Sequence, residues 1–391
     1  MRRRYSLLII LLGCLVGLHF PGQALAGEDA ITIAAIYAQS GPAAAGNAAS
    51  LAGARLAVQE LNNKGGVLGR PIQLVEIDNR STPIGAKVAA DEAARLGVTA
   101  IVGSSWSSHS MAVAQVAEEQ RIPMVTNIST HPEVTRSRAY VFRVCYTDDF
   151  QGRVMARFAA GELGATTAVI FRDVSSEYSI SLAQAFRTTF ARLGGEVLLE
   201  VDYKRAQDGF RETMASARGI QADVVFIPGY DESAAIIAEA LAAGLPGPFL
   251  GGDGWTAGNF IDRGGTGSAR GYHCDHWHEK VTPAAAREIL ATGRAFLDET
   301  WPVGWRSATA LAFDAVYLLA DALERAGTTD RGELRRALAE TRGFPGITGE
   351  LHFNEHGDPI KGAVIMEIVG QTSTFFTWVP PEIEAPERAE R

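Results

Sequence analysis

Thr167-Ala168-Val169-Ile170-Phe171, Glu196–Tyr203, Asp223–Gly229 and Phe249-Leu250-Gly251-Gly252 are four short, largely apolar runs, and their starts lie 29, 27 and 26 residues apart. Each run has strand length, and each gap holds one crossover helix. Such a rhythm predicts a parallel sheet covered by helices on both faces. Upstream the same rhythm appears in Ile72–Asp78, Ala100–Gly103 and Pro123–Asn127, with starts 28 and 23 residues apart, preceded by the apolar run Ile31–Tyr37. Leu51, Ala54, Val58 and Leu61 share one helical face, and Gly65-Gly66 stops that helix. Thr82-Pro83 starts another helix and Gly97 ends it. A third is expected over 109–120, and a crossing segment near 140–147 precedes the second set. The fold class expected is α/β, with two doubly wound parallel-sheet lobes.

The last third breaks the rhythm. Residues 282–300, 307–326 and 331–341 read as helices. Ile347–Phe353 and Ala363–Val369 read as strands around the turn Asn354–Asp358. The tail from Pro380, rich in proline and charge, is expected to be disordered over 381–391.

Composition narrows the function. Of 391 residues, 47% are hydrophobic and 21% charged, which is ordinary globular usage. The net charge of −9 argues against nucleic acid or an anionic membrane as partner, since both demand a basic surface. Eight histidines and three cysteines are too few for a disulfide scaffold or a zinc-rich fold. At the N-terminus, Arg2, Arg3 and Arg4 precede the apolar run Leu7–Phe20 and the small-residue site Ala24-Leu25-Ala26. Residues 1–26 therefore read as a cleaved secretory signal. A lipoprotein site at Cys14 is the rival reading. Cleavage after Ala26 removes three arginines and no acid, taking the net charge from −9 to −12. The mature protein is expected to be exported to the periplasm.

In open parallel sheets, ligands bind beyond the carboxyl ends of the strands. Those ends carry Ser104-Ser105-Trp106-Ser107-Ser108 and Asn127-Ile128-Ser129-Thr130 in the first set. In the second they carry Ser175-Ser176-Glu177-Tyr178, Gly229-Tyr230-Asp231-Glu232 and Gly252-Asp253-Gly254-Trp255. Hydroxyls and amides at helix N-termini suit a carboxylate, and a lone acid suits an ammonium. A single serine there is more often a helix cap, but four in one loop weigh against that.

Three stretches carry a family resemblance. They are Ser40-Gly41-Pro42 with Gly53-Ala54 and Leu61–Pro71; Ile101-Val102-Gly103 through Ser107 to Ile122-Pro123; and Gly346–Gly349 with Phe353-Asn354 and Gly357-Asp358. Over about residues 31–380 the chain resembles type I periplasmic binding proteins of the Leu/Ile/Val-binding kind, the soluble receptors of ABC importers. The resemblance implies an N-terminal lobe of residues 29–147 and 278–360 and a C-terminal lobe of 148–277 and 361–380. The hinge would cross near 146–149, 276–279 and 359–362. It implies a monomer without cofactor or catalysis that closes on an amino acid or small carboxylate and delivers it to an inner-membrane permease. It places Ser107 and Thr130 on the ligand carboxylate. Near Ile128 a carbonyl, and from the second lobe Asp253, would take the ammonium, with Tyr178 and Tyr230 beside them. Trp106 and Ser81 stand where the family has a cysteine pair, and Gly46 where it has an aromatic. The side-chain wall is therefore expected to be rebuilt around Trp106, Trp255, Tyr178, Tyr230, Trp277 and His276, for a bulkier amino acid or a small aromatic acid.

Other signals point elsewhere. Gly252-Asp253-Gly254 lacks the G-x-G-x-x-G pattern of a dinucleotide loop, and there is no G-x-S-x-G elbow. Cys274, His276 and His278 would share one strand face as soft or imidazole ligands, a metal reading weighed against a plain crossing strand. Cys145 and Cys274, both near crossings, could form a disulfide in an oxidising compartment. An exported ligand sensor of the same fold fits equally well. An exported enzyme fits less well, for want of paired carboxylates or a nucleophile with its base.

Overall fold

The computed structural model describes residues 30–381 apart from 208 and 301–303; the side chains of 299 and 300 are also outside the description. The expected signal segment and the tail from 382 lie outside the described residues.

The chain begins β1 (Ile31–Tyr37), α1 (Ala44–Asn63), β2 (Ile72–Asp78), α2 (Pro83–Arg95), β3 (Ala100–Gly103), α3 (Ser107–Glu119), β4 (Met124–Thr126) and β5 (Val141–Arg143). These strands form one parallel sheet in the order β2-β1-β3-β4-β5. Strand periodicity divides β1 between two cores. Ile31, Ile33, Ala35 and Tyr37 face the core that includes α1, while Ala34 and Ile36 face that of α2 and α3.

The second unit runs α4 (Asp148–Gly161), β6 (Thr167–Asp173), α5 (Glu177–Arg192), β7 (Glu196–Tyr203), β8 (Val224–Phe226), α6 (Ser233–Ala242), β9 (Phe249–Gly251) and β10 (Arg270–Asp275). After it come α7 (Arg287–Thr300), α8 (Ser307–Ala326), α9 (Arg331–Ala339), β11 (Phe344–Gly346), β12 (Gly349–Leu351), β13 (Ala363–Val369) and β14 (Thr372–Val379). The second sheet has the order β14-β13-β10-β9-β8-β6-β7. β6 to β10 are parallel, and β13 and β14 add an antiparallel edge. Helices α7 to α9 return to the first unit and share its core. Gly53 lets α1 and α8 close up, since a Cβ there would stand 2.1 Å from the Thr309 carbonyl oxygen. The chain thus passes between the sheets after β5, after β10 and ahead of β13.

One expected strand is broken. Ile347–Phe353 is not continuous; β11 and β12 form a tight antiparallel hairpin around Ile347-Thr348. The buried Asp314 carboxylate on α8 accepts the amides of Ile347 and Thr348 at 2.8 and 2.9 Å, and Gly349 turns the chain at φ +118°. The disulfide expectation is also corrected. Cys145 and Cys274 are free, buried thiols belonging to the cores of different lobes. Cys145 Sγ donates to the Ser129 carbonyl and Cys274 Sγ accepts from Tyr146 Oη. Burial pushes the Cys145 thiol up to about 12 and the Cys274 thiol higher still. Among the described residues no helix is long and apolar enough to cross a membrane.

Candidate functional site

The carboxyl ends of both sheets meet across a cleft. Between them lies a small cavity, lined from the first unit by Gly46, Ser105, Trp106, Ser107, Ile128, Thr130 and Ala308. Tyr178, Tyr230, Asp253, Gly254, Thr256 and Ala257 face them from the second. Seven of the eight residues singled out from sequence therefore line one cavity. The eighth, His276, lies behind Asp253, its Nε2 3.1 Å from Asp253 Oδ2.

Each lining side chain is placed by a strand end. Ser107 opens α3 directly after β3, and its hydroxyl accepts the His131 amide at 3.3 Å. Thr130 follows β4 in a loop held from below by Arg143. That fully buried guanidinium donates to the carbonyls of Ser129 at 2.8 Å, His131 at 3.0 Å and Pro132 at 3.2 Å, and pairs with Asp358 at 2.5 Å. Tyr178 stands in the first turn of α5, and its hydroxyl accepts the Gly254 amide at 3.0 Å. The Asp253 amide donates to Gln151 Oε1 at 2.6 Å, which anchors the loop after β9 to α4.

Trp106 crosses the cleft. Its ring stacks on Tyr230 at 4.7 Å, with 16° between the planes. The Arg205 guanidinium lies 4.5 Å over the same indole, an arrangement that gains from the ring quadrupole. Arg205 is itself held by Asp231 and Glu232.

Several buried polar atoms around the cavity have no partner within the protein: Trp106 Nε1, Thr130 Oγ1 and Asp253 Oδ1, and behind them both Asp148 oxygens, Gln151 Nε2 and His276 Nδ1. Buried polar groups without partners are costly, so a set converging on one cavity suits a ligand carrying both donors and acceptors. Burial raises the Tyr178 and Tyr230 hydroxyls well above their usual range, with the Asp253 charge adding to it. Burial lowers His276, against its bond to Asp253, and so favours a neutral ring.

Some expectations for the wall do not survive. Trp255 is core: it stacks on Phe260 at 4.5 Å and donates to the Ile227 carbonyl. Trp277 is core as well, donating to Thr282. Gly46 opens no space, because a Cβ there would meet the Gly258 nitrogen at 3.3 Å and Ala257 Cβ at 3.7 Å. Cys274, His276 and His278 do not converge either. Cys274 contacts Tyr146, His276 faces Asp253, and His278 caps the following turn through the Lys280 amide. Among the described residues no cluster suits a metal ion. Asp148 and Gln151 were missed from sequence. Thr147-Asp148-Asp149 reads there as an ordinary helix start, and Thr147 does cap Phe150.

The family model described as "Periplasmic binding protein" matches residues 30–373. A Leu/Ile/Val-binding protein homolog from Brucella melitensis is 28% identical over 343 residues, covering 86% of this chain and 90% of that one. The crystal structure of a leucine binding protein from Thermotoga maritima is 34% identical with a TM-score of 0.84, covering 90% and 99% of the two chains. A branched-chain amino acid transporter substrate binding protein from Streptococcus pneumoniae, solved with isoleucine, is 27% identical with a TM-score of 0.80, covering 89% and 99%.

Proposed function

The chain belongs to the periplasmic binding protein family, a family of receptors and not of enzymes, and from that premise we propose that it is the extracytoplasmic solute receptor of an ABC importer that closes its two lobes on an amino acid or a related small carboxylate. One observation carries this reading. The cavity at the carboxyl ends of the two sheets sets the Ser107 and Thr130 hydroxyls on one side against a buried acid, Asp253, with a free oxygen on the other. A zwitterion supplies both complements: a carboxylate for the hydroxyls and an ammonium for the acid. Tyr178 and the Trp106–Tyr230 stack supply its apolar walls. Neutral His276 leaves the charge on Asp253 uncancelled, which favours a cationic group over a plain monocarboxylate. The Trp106–Tyr230–Arg205 stack bridges the cleft and favours the closed form once ligand has drawn the lobes together. The acceptor of the bound cargo would be a permease in the inner membrane.

A thermal-shift screen of the mature protein against the twenty amino acids and a panel of small carboxylates tests the ligand class, with calorimetry on the hits. Binding of at least one amino acid at micromolar affinity, with contraction of the small-angle scattering radius, is expected. A screen in which no carboxylate raises the melting temperature would refute the reading.

A further inference from the structure

Beneath the cavity runs a chain of polar side chains that the ligand scheme above does not use. Tyr37 ends β1, Ser50 lies on α1 and Asn127 follows β4, and all three are fully buried. Tyr37 Oη stands 3.1 Å from Asn127 Oδ1. Asn127 Nδ2 stands 2.9 Å from Ser50 Oγ and 3.3 Å from the Ala308 carbonyl oxygen. Ser50 Oγ stands 3.0 Å from Ser105 Oγ, and Ser105, between β3 and α3, lines the cavity. These contacts fix which way each proton points. A carbonyl only accepts, so the Ala308 oxygen must face the Asn127 NH2 group; the Asn127 oxygen then takes the Tyr37 proton. The second amide hydrogen goes to Ser50 Oγ, and Ser50 has one proton of its own to place. Were Ser105 to donate to Ser50, the Ser50 proton would be left without an acceptor in a fully buried site, the costlier arrangement. Ser50 therefore donates to Ser105. Among the described residues Ser105 Oγ bonds to Ser50 alone, so its own proton is left to turn to the cavity.

The partners of that hydroxyl set it apart from the carboxylate grip. Ser107 Oγ is tied to the His131 amide, in the loop after β4 that also carries Thr130. Ser105 Oγ is tied to Ser50 on α1, and the chain behind it reaches Ala308 on α8. Gly46 of α1 and Ala308 line the cavity from those same helices, and neither has a polar side chain. Ser105 is thus a lone donor set in an otherwise apolar part of the wall. We propose that Ser105 is a specificity-determining residue, whose hydroxyl, primed as a donor by the Tyr37–Asn127–Ser50 chain, meets an oxygen on the ligand's side chain, so that the site favours a hydroxy amino acid over its aliphatic isostere. This rests on the zwitterion reading above, in which Ser107, Thr130 and Asp253 already hold the carboxylate and the ammonium.

Calorimetry on the mature protein with L-threonine and L-valine tests it, since the two side chains differ by a hydroxyl in place of a methyl. Wild type is expected to bind threonine about tenfold more tightly, because valine leaves the Ser105 proton unpaired. In Ser105→Ala the two affinities are expected to lie within about threefold of each other, through weaker threonine binding and with valine little changed. The ratio is the readout because a merely structural loss moves both ligands together. A ratio that Ser105→Ala leaves unchanged would assign Ser105 to the carboxylate or to the fold and overturn the inference. So would valine binding to wild type at least as tightly as threonine. Should Ser105→Ala fail to fold, Ser105→Cys keeps a side chain of similar size with a far weaker donor, and the same fall in the ratio is expected. L-Leucine separates this inference from the reading beneath it. A protein that binds leucine without preferring threonine to valine loses this inference alone. One that binds neither these three nor any other amino acid loses the zwitterion reading and this inference with it.

Discussion

His276 Nε2 lies 3.1 Å from Asp253 Oδ2, while Asp253 Oδ1 has no partner within the protein. The histidine therefore holds one oxygen and aims the other into the cavity. Tyr146 covers the imidazole, with ring centroids 3.8 Å apart, and keeps water from the pair.

That division of labour makes Asp253→Asn an informative change. The asparagine carbonyl can still accept from His276, so the fold should hold. The cavity loses a charge-assisted bond of roughly 1.5–3 kcal/mol. Affinity for an amino acid is expected to fall about 10- to 100-fold, with the melting temperature nearly unchanged. Calorimetry on the two proteins checks this; equal affinities would remove Asp253 from the ammonium site.

Arg143 offers a second test, because it joins the site to the hinge. It grips the carbonyls on either side of Thr130 and pairs with Asp358, close to the expected third crossing. Removing one partner of a buried pair leaves an uncompensated charge and typically costs about 3–5 kcal/mol. Arg143→Met is expected to lose stability of that order in urea unfolding and to weaken ligand binding as the 129–135 loop relaxes. The double variant Arg143→Met/Asp358→Asn should recover part of the stability but not the binding.

The sequence was most legible where periodicity and spacing act alone. Strand starts near 167, 196, 223 and 249 place β6, β7, β8 and β9 to within a residue, because each run is a buried strand followed by one crossover. The residues lining the cavity were legible because they sit at strand ends, a position that topology dictates. What stayed hidden depends on contacts between distant segments. Trp255 and Trp277 look like binding aromatics until Phe260, Ile227 and Thr282 claim them. Gly46 looks like an opening until Ala257 and Gly258 arrive from the opposite lobe. Asp148 looks like a helix start, and only its complete burial distinguishes it.

Asp275, at the end of β10, makes stability depend on pH. Burial raises its carboxyl to about 7, while the Ser307 hydroxyl and the His276 amide oppose the shift. Between the ordinary value of 3.8 and about 7 the folded state holds a proton that the unfolded state has released. Its contribution is thus fully present below about pH 4 and is lost as pH rises towards 7. The full effect is on the order of 4 kcal/mol at most. His109 and His273, each lowered to about 4 by burial, act in the opposite direction, so the overall profile mixes both. The difference between Asp275→Asn and wild type isolates the acid. The variant is expected to gain stability relative to wild type as pH rises from 5 to 7.5 in chemical unfolding. A constant difference across that range would show that Asp275 titrates normally.

The last prediction concerns the ligand side chain. Reading the wall from sequence suggested a bulky or aromatic ligand, resting on Gly46 as an opening and on five aromatic residues as a lining. Three of those supports are withdrawn by Trp255, Trp277 and the closure of Gly46 against Ala257 and Gly258. Tyr178 and the Trp106–Tyr230 pair remain, and that pair is spent on stacking across the cleft, with the indole also stacked on His109 at 5.4 Å. A ligand ring could stack on Trp106 only by displacing Tyr230 or His109, giving up an aromatic contact worth about 0.5–1.5 kcal/mol. Aliphatic side chains need no such displacement. In side-by-side titrations, leucine, isoleucine or valine is therefore expected to bind more tightly than phenylalanine, tryptophan or benzoate. Trp106→Ala is expected to narrow that gap by opening the wall, while weakening the aliphatic ligands through loss of the cross-cleft stack. Tighter binding of an aromatic acid by the wild-type protein would show that the stack parts for its ligand and would restore the wall read from sequence.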